Sequence, residues 1–226
     1  MHAIVLIRFA FFCCVLTMGI IFLLKYRSLN IMPRHSKEED NVAPLPEHVH
    51  TGHSKCGHPE ACPPEHFSFK IQSGVGNVIG PSICFDNEIV MSDGIRNTRY
   101  GINIAVIDGF EGKTLKTGAF LMFGGQSEEK KLYNFLKLIE QGMFVLVTSY
   151  DDPYTKMTTE IKDYFKKLGS SAVDSLKFRD SWVFVGTLGP MKSHFEKHMP
   201  STSETNKYGT WPEVVEIDGC IPRRKA

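Results

Sequence analysis

The chain has 226 residues, 42% of them hydrophobic and 23% charged, with a formal net charge of +1 at pH 7. Those proportions exclude wholesale disorder and a collagen-like repeat, and the balanced charge argues against a nucleic-acid or polyanion partner. The length leaves room for one good-sized domain together with a leader and a linker.

The leader comes first. From Phe9 to Leu24 the sequence is apolar and uncharged, framed by Arg8 on one side and by Lys25 and Arg27 on the other. A spanning helix wants about 20 apolar residues and a signal-peptide core about 7–15, so this run falls between the two. Lys-Tyr-Arg-Ser-Leu follows Leu24 where a small-x-small cleavage site would stand, and the triplet Thr17-Met18-Gly19 sits inside the apolar run. For residues 1–27 a signal-anchor and an atypically cleaved signal both stay open. A buried core helix does not fit a segment that is apolar on every face. Either form predicts entry to the secretory pathway, ending in secretion or, with an uncleaved anchor, in a Golgi or vesicle membrane. Residues 28–55 are polar, rich in histidine and proline around the Lys37-Glu38-Glu39-Asp40 cluster, and read as a flexible stalk.

Six cysteines bear on the compartment. Cys13 and Cys14 lie in the leader. Cys56, Cys62, Cys84 and Cys220 form an even set, which fits two disulfides in an exported chain, with three connectivities open. Whichever is formed, Cys220 must reach back to the N-terminal edge of the domain, a long closure worth about 4–5 kcal/mol in the chain-entropy model. His48, His50, His53, Cys56, His58 and Cys62 also have metal-ligand chemistry. Oxidised cysteines cannot ligate, so the reading is a solvated stalk with no metal and no cofactor.

The domain spans 56–226. Short β-rich runs at Phe67 to Ile71, Ile83 to Phe85 and Ile89 to Met91 are broken by Gly, Pro and Asn. Two stronger strands, Gly101 to Ile107 and Thr114 to Phe123, are joined through Asp108-Gly109 and Glu111-Gly112. Ser127 reads as an N-cap with Glu128 and Glu129 in the first turn, and Leu132, Phe135, Leu136 and Ile139 share a helical face that Gly142 closes. Met143 to Val147 is a continuous apolar run of strand length. A second helix carries Ile161, Tyr164, Phe165 and Leu168 with Gly169 as its stop. Trp182 to Val185 and Val214 to Ile217 complete the strands. The order predicts an α+β domain of mixed sheets with helices on the outside.

Enzyme signatures fail at the residues that would carry them. Gly74-Val75-Gly76 with Gly80 has its third glycine one position late and no helix after it, and Gly112-Lys113-Thr114 has Ile107 where a phosphate-binding loop needs glycine. Neither Gly-x-Ser-x-Gly nor His-Glu-x-x-His occurs, and the domain is read as non-catalytic. Two charged pairs fall where loops leave central strands: Asp151-Asp152 after the run ending at Val147, and Arg179-Asp180 before Trp182. A carboxylate that accepts and a guanidinium that donates, beside an aromatic ring, can grip sugar hydroxyls. The plainer reading is an Arg–Asp ion pair between two loops, with Trp182 in the core.

Several stretches together resemble the secreted "family with sequence similarity 3" proteins, the interleukin-like EMT inducer and pancreatic-derived factor family. They are Lys55-Cys56-Gly57 with Ala61-Cys62-Pro63, Ser73-Gly74 through Asn77-Val78 to Gly80-Pro81, Gly101-Ile102-Asn103, and Tyr150-Asp151-Asp152 with Thr155-Lys156. Leu168-Gly169-Ser170, Phe178 through Phe184, Thr205 through Tyr208, and Gly219-Cys220-Ile221-Pro222 continue the match over about three quarters of the chain. The resemblance implies a β-β-α globular fold, with two antiparallel sheets flanked by short helices, and pairs Cys56 with Cys84 and Cys62 with Cys220. It also implies an exported cytokine-like or hormone-like signal whose partner is a cell-surface receptor, a glycan or both.

The same domain is similar to the GG-type lectin module. There an Arg in a Gly-Arg-Gly turn, an Asp after a central strand and the Arg of an aromatic-Arg-Asp motif contact sugar. Asp151 and Arg179 match by position. Arg99-Tyr100-Gly101 stands where the module has Gly-Arg-Gly, which leaves three outcomes open. Arg99 reaches the site, Tyr100 supplies a stacking face instead, or glycan binding is lost.

Overall fold

In the computed structural model the described residues are 17–18, 56–57, 61–76, 78–189 and 195–225. The chain divides into two units, Met1–His48 and Val49–Ala226, and everything below concerns the second. The stalk, most of the leader and the histidines His48, His50, His53 and His58 lie outside the described residues. Among the described residues no helix is long and apolar enough to cross a membrane.

Apolar runs too continuous for a half-exposed strand make the central layer. β4 (Gly101–Asp108), β6 (Met143–Tyr150) and β7 (Ser181–Thr187) are buried along almost their whole length. They form the middle of a five-stranded antiparallel sheet, completed at its edges by β5 (Thr114–Phe120) and β8 (Phe195–Met199), in the order β5-β4-β6-β7-β8. Successive side chains point to opposite faces, so each strand feeds two cores. Ile102, Ile104, Val106, Val145, Val147, Trp182 and Phe184 pack toward α1 (Glu128–Leu136) and α2 (Thr159–Lys167) through Leu132, Leu136, Ile161 and Phe165. Ala105, Ile107, Phe144, Leu146, Val183 and Val185 pack on the other face against a second antiparallel sheet. That sheet runs β11-β1-β2-β3, from β1 (His66–Gln72), β2 (Ser82–Phe85), β3 (Glu88–Ser92) and β11 (Glu216–Pro222). Two sheets with helices on one side make this an α+β domain of β-β-α layering.

The domain cysteines form Cys56–Cys84 and Cys62–Cys220, tying the N-terminal edge to β2 and to β11. The sulfurs of Cys56 and Cys62 are therefore committed and are not thiolate ligands.

Differences from the sequence reading have local causes. α1 stops at Leu136, well before Gly142, because the chain tightens into i→i+3 bonds from Leu138 N to Phe135 O and from Ile139 N to Leu136 O. Ile139 keeps its place in the core from this turn. Ser127 precedes α1 with φ 61° and makes no side-chain capping bond. α2 does end as its sequence suggests: Gly169 at φ 105° lets its N–H reach Lys166 O and the Ser170 N–H reach Phe165 O, a Schellman closure. β5 ends at Phe120, and the last strand starts later than Val214. A separate two-stranded hairpin, β9 (Asn206–Tyr208) with β10 (Trp211–Pro212), was not legible.

Candidate functional site

The C-terminal end of β6 lies beside the beginnings of β4 and β7, since Gly101 pairs with Tyr150 and Thr148 with Val183. Asp151 and Arg179 therefore emerge at one end of the central strands. Each is held in the left-handed region, at φ 62° and φ 64°. Such a backbone is uncommon for residues with a side chain and persists only where the surroundings impose it.

The next residue imposes it in both places. Asp152 is 1% exposed, and its Oδ1 accepts from the N–H groups of Tyr154 (2.8 Å) and Thr155 (3.3 Å). Asp180 is 2% exposed and accepts from Lys177 N and Ser201 N, each at 2.8 Å, while its Oδ2 lies 2.7 Å from His198 Nε2. Ser149 Oγ accepts from Trp182 N at 2.8 Å and donates to Asp180 O at 3.4 Å, which ties the Arg179–Asp180 loop to β6.

One indole joins the two charged side chains. Trp211 Nε1 donates to Asp151 Oδ1 at 2.5 Å, and the Arg179 guanidinium lies over the Trp211 ring with Cζ 4.3 Å from its centroid. Arg179 Nε stands 3.8 Å from the same Asp151 oxygen, and Arg179 Nη1 donates to Thr210 Oγ1 at 2.6 Å. The Phe178 ring covers the guanidinium at 4.8 Å. Gly76, at φ 48°, backs the indole so closely that a Cβ there would meet the ring at 3.0 Å. The glycine-rich stretch thus serves close packing: at Gly74 a Cβ would come within 2.4 Å of the Tyr150 ring.

Tyr100 joins from the side. Its ring centroid is 4.5 Å from that of Tyr150 and 6.1 Å from that of Phe123, and it is partly exposed. Tyr150 is buried, which raises the pKa of its phenol above the ordinary value, and the nearby Asp93 carboxylate adds to the shift. Its hydroxyl donates to Asp93 Oδ2 at 3.3 Å.

Of the five site residues read from sequence, the fold brings Asp151 and Arg179 into contact and places Tyr100 next to them through Tyr150. Arg99 turns elsewhere: its Nη1 lies 3.6 Å from Glu128 Oε2, and its backbone N and O are both clamped by the Asn103 carboxamide at 2.8 Å. Trp182 offers no face at all. It is fully buried, stacked on Phe184 at 5.8 Å and donating from Nε1 to Glu196 Oε1 at 2.9 Å. The site's aromatic residue is Trp211, which sequence reasoning passed over. Its signal was slight: one of two tryptophans, set between Gly209-Thr210 and Pro212 with no apolar periodicity around it.

A family model described as interleukin-like EMT inducer matches residues 100–190, which include Tyr100, Asp151 and Arg179. Protein FAM3D of Mus musculus is 47% identical over 180 residues, covering 79% of this chain and 80% of that protein. Protein FAM3A of Mus musculus is 48% identical over 171 residues, 75% of this chain and 74% of the relative. Protein FAM3C of Danio rerio is 47% identical over 169 residues, 74% of each. The chain belongs to the FAM3 family. Membership places the protein in a cytokine-like family.

Proposed function

We propose that this protein is a secreted, non-catalytic signalling protein whose domain binds carbohydrate through Asp151 and Arg179, alone or on a glycosylated receptor. Export is supported by the apolar leader and by two disulfides in one small domain. Signalling is supported by membership of a cytokine-like family.

One observation carries the binding reading. Asp151 and Arg179, far apart in sequence, are both in left-handed backbone, each braced by a buried Asp that follows it, and their charged groups meet at the ends of the central strands. Holding two non-glycine residues this way costs about 1–3 kcal/mol each, and such strain concentrates at ligand sites. A carboxylate and a guanidinium so fixed supply an acceptor and a fork of donors to neighbouring hydroxyls.

The test is a glycan array probed with protein collected from the medium of expressing cells. Asp151→Asn removes the charge yet tolerates the left-handed backbone, and Arg179→Lys removes the planar fork. Loss of a charge-assisted hydrogen bond should lower retention by about tenfold or more in each variant, with native near-UV circular dichroism. A wild type that binds no glycan, or variants retained as well as wild type, would overturn the reading. Protein found only in cells would overturn its export half.

A further inference from the structure

The hairpin β9–β10 lies across the site, and we propose that it is a latch: Trp211 closes the Asp151–Arg179 pair, and a ligand binds by displacing the indole from Asp151. This rests on the carbohydrate reading above and adds how the site is regulated.

The groups that would grip hydroxyls are already engaged. Asp151 Oδ1 is taken by Trp211 Nε1, one Arg179 N–H by Thr210, and the guanidinium plane by the indole face. Gly76 also packs against the indole, and the face that Arg179 covers is closed to a stacking sugar. Asp151 and Arg179 side chains are only 18% and 29% exposed. Arg179 Nε is buried without a hydrogen-bond partner, and Asp151 Oδ1 stands 3.8 Å from it. The indole N–H holds that oxygen instead. A buried donor left unpaired is costly, so the closed arrangement carries a standing penalty that opening or ligand binding relieves. Opening would free three things at once: the Asp151 oxygen, the Arg179 N–H now given to Thr210, and the indole face that Arg179 covers.

The hairpin is also built to move as a unit. It is laddered into neither large sheet, its strands are two and three residues long, and Gly209 at its tip has nothing within 4 Å of where a Cβ would stand. Two-stranded hairpins of this size are marginal without tertiary support. That support comes from the contacts with Asp151 and Arg179, from Gly76 against the indole, and from Ser201 Oγ, which lies 3.2 Å from Asn206 Oδ1 and 3.3 Å from Thr210 O.

A closed latch lowers apparent affinity by the fraction of molecules that are open. The first arm of the test uses hydrogen–deuterium exchange of the full chain without ligand. Trp211→Phe, which keeps a ring but loses the N–H, and Thr210→Val should each speed exchange across Asn206–Pro212 about tenfold, with β6 and β7 unchanged. Unchanged hairpin exchange, or loosening that spreads into β6 and β7, overturns the latch. The second arm titrates neutral methyl glucoside, galactoside and mannoside by calorimetry. Because Trp182 is buried in the core, the emission change that accompanies binding in the wild type should come from Trp211. A sugar that binds should do so about tenfold more tightly to Trp211→Phe. Sugar binding that is weakened in Trp211→Phe, or that leaves hairpin exchange unaltered in the wild type, overturns the latch and keeps the carbohydrate reading. A hairpin released as a unit by the variants in a protein that binds no sugar overturns the carbohydrate reading and keeps the latch.

Discussion

At the scale of single residues, adjacent charges divide the labour. Asp151 and Arg179 present their side chains, while Asp152 and Asp180 bury theirs and collect backbone N–H groups. A sequence shows two charged pairs after and before apolar runs but not which member faces inward, because that depends on the left-handed turn between them. Glu128 shows the same economy. Its nearly buried carboxylate accepts from Lys131 Nζ at 2.6 Å and Leu121 N at 3.2 Å and draws Arg99 to it, so one acid ties the start of α1 to the residue that follows β5 and sets the direction of Arg99. The hydrogen bond from Lys131 is the main reason its carboxyl lies below the ordinary value of 4.5, with the Leu121 N–H adding to the shift against the cost of burial. A carboxylate lowered in the fold supplies stability that is complete above its unfolded value and is lost as pH falls through its folded one. Wild type should therefore lose more stability than Glu128→Gln between about pH 5 and pH 3 in urea unfolding series. Parallel losses in the two proteins would show that Glu128 contributes no such linkage.

At the scale of elements, legibility followed burial. β6 and β7 announce themselves as apolar runs, and α2 by its periodic face and Gly169, because each is written in its own residues. β8 is not. Phe195-Glu196-Lys197-His198-Met199 has no pattern that names a strand, and its place is fixed by what Glu196 reaches. Oε1 accepts from Ser170 Oγ at 2.5 Å and from Trp182 Nε1 at 2.9 Å, and Oε2 from Ser171 N at 2.7 Å, Ser171 Oγ at 2.9 Å and Ala172 N at 3.1 Å. One carboxylate thus fastens an edge strand to the α2–β7 loop and satisfies the indole of a core tryptophan. Removing it strands several donors, one of them in the interior. Glu196→Ala should cost about 2–4 kcal/mol in urea unfolding, with Trp182 fluorescence altered in the native baseline. A cost under about 0.5 kcal/mol would mean that water replaces the carboxylate freely.

At the scale of the whole molecule, the parts hardest to read from sequence are those set by contacts across the chain. Trp211 is 60 residues from Asp151, and only the stacked sheets bring the hairpin that carries it over the site. Those sheets are held by covalent ties of unequal reach. Cys62–Cys220 closes a separation of 158 residues and pins β11 at the outside of its sheet, where β1 is its only partner strand among the described residues. Cys56–Cys84 closes 28 residues and joins the domain's first residues to β2. Chain entropy makes the long closure worth about 5 kcal/mol and the short one about 3–4 kcal/mol. The double variant Cys62→Ala/Cys220→Ala should therefore unfold at lower urea than Cys56→Ala/Cys84→Ala. The difference should also reach the site, because β10 runs almost directly into β11. With β11 freer at Gly219–Ile221, hairpin exchange should rise in the first variant and stay near wild type in the second. The reverse order of midpoints would show that packing around each bridge, rather than the loop it closes, decides its worth. Equal hairpin exchange in both would show that the hairpin is held from the site side alone, by Asp151 and Arg179.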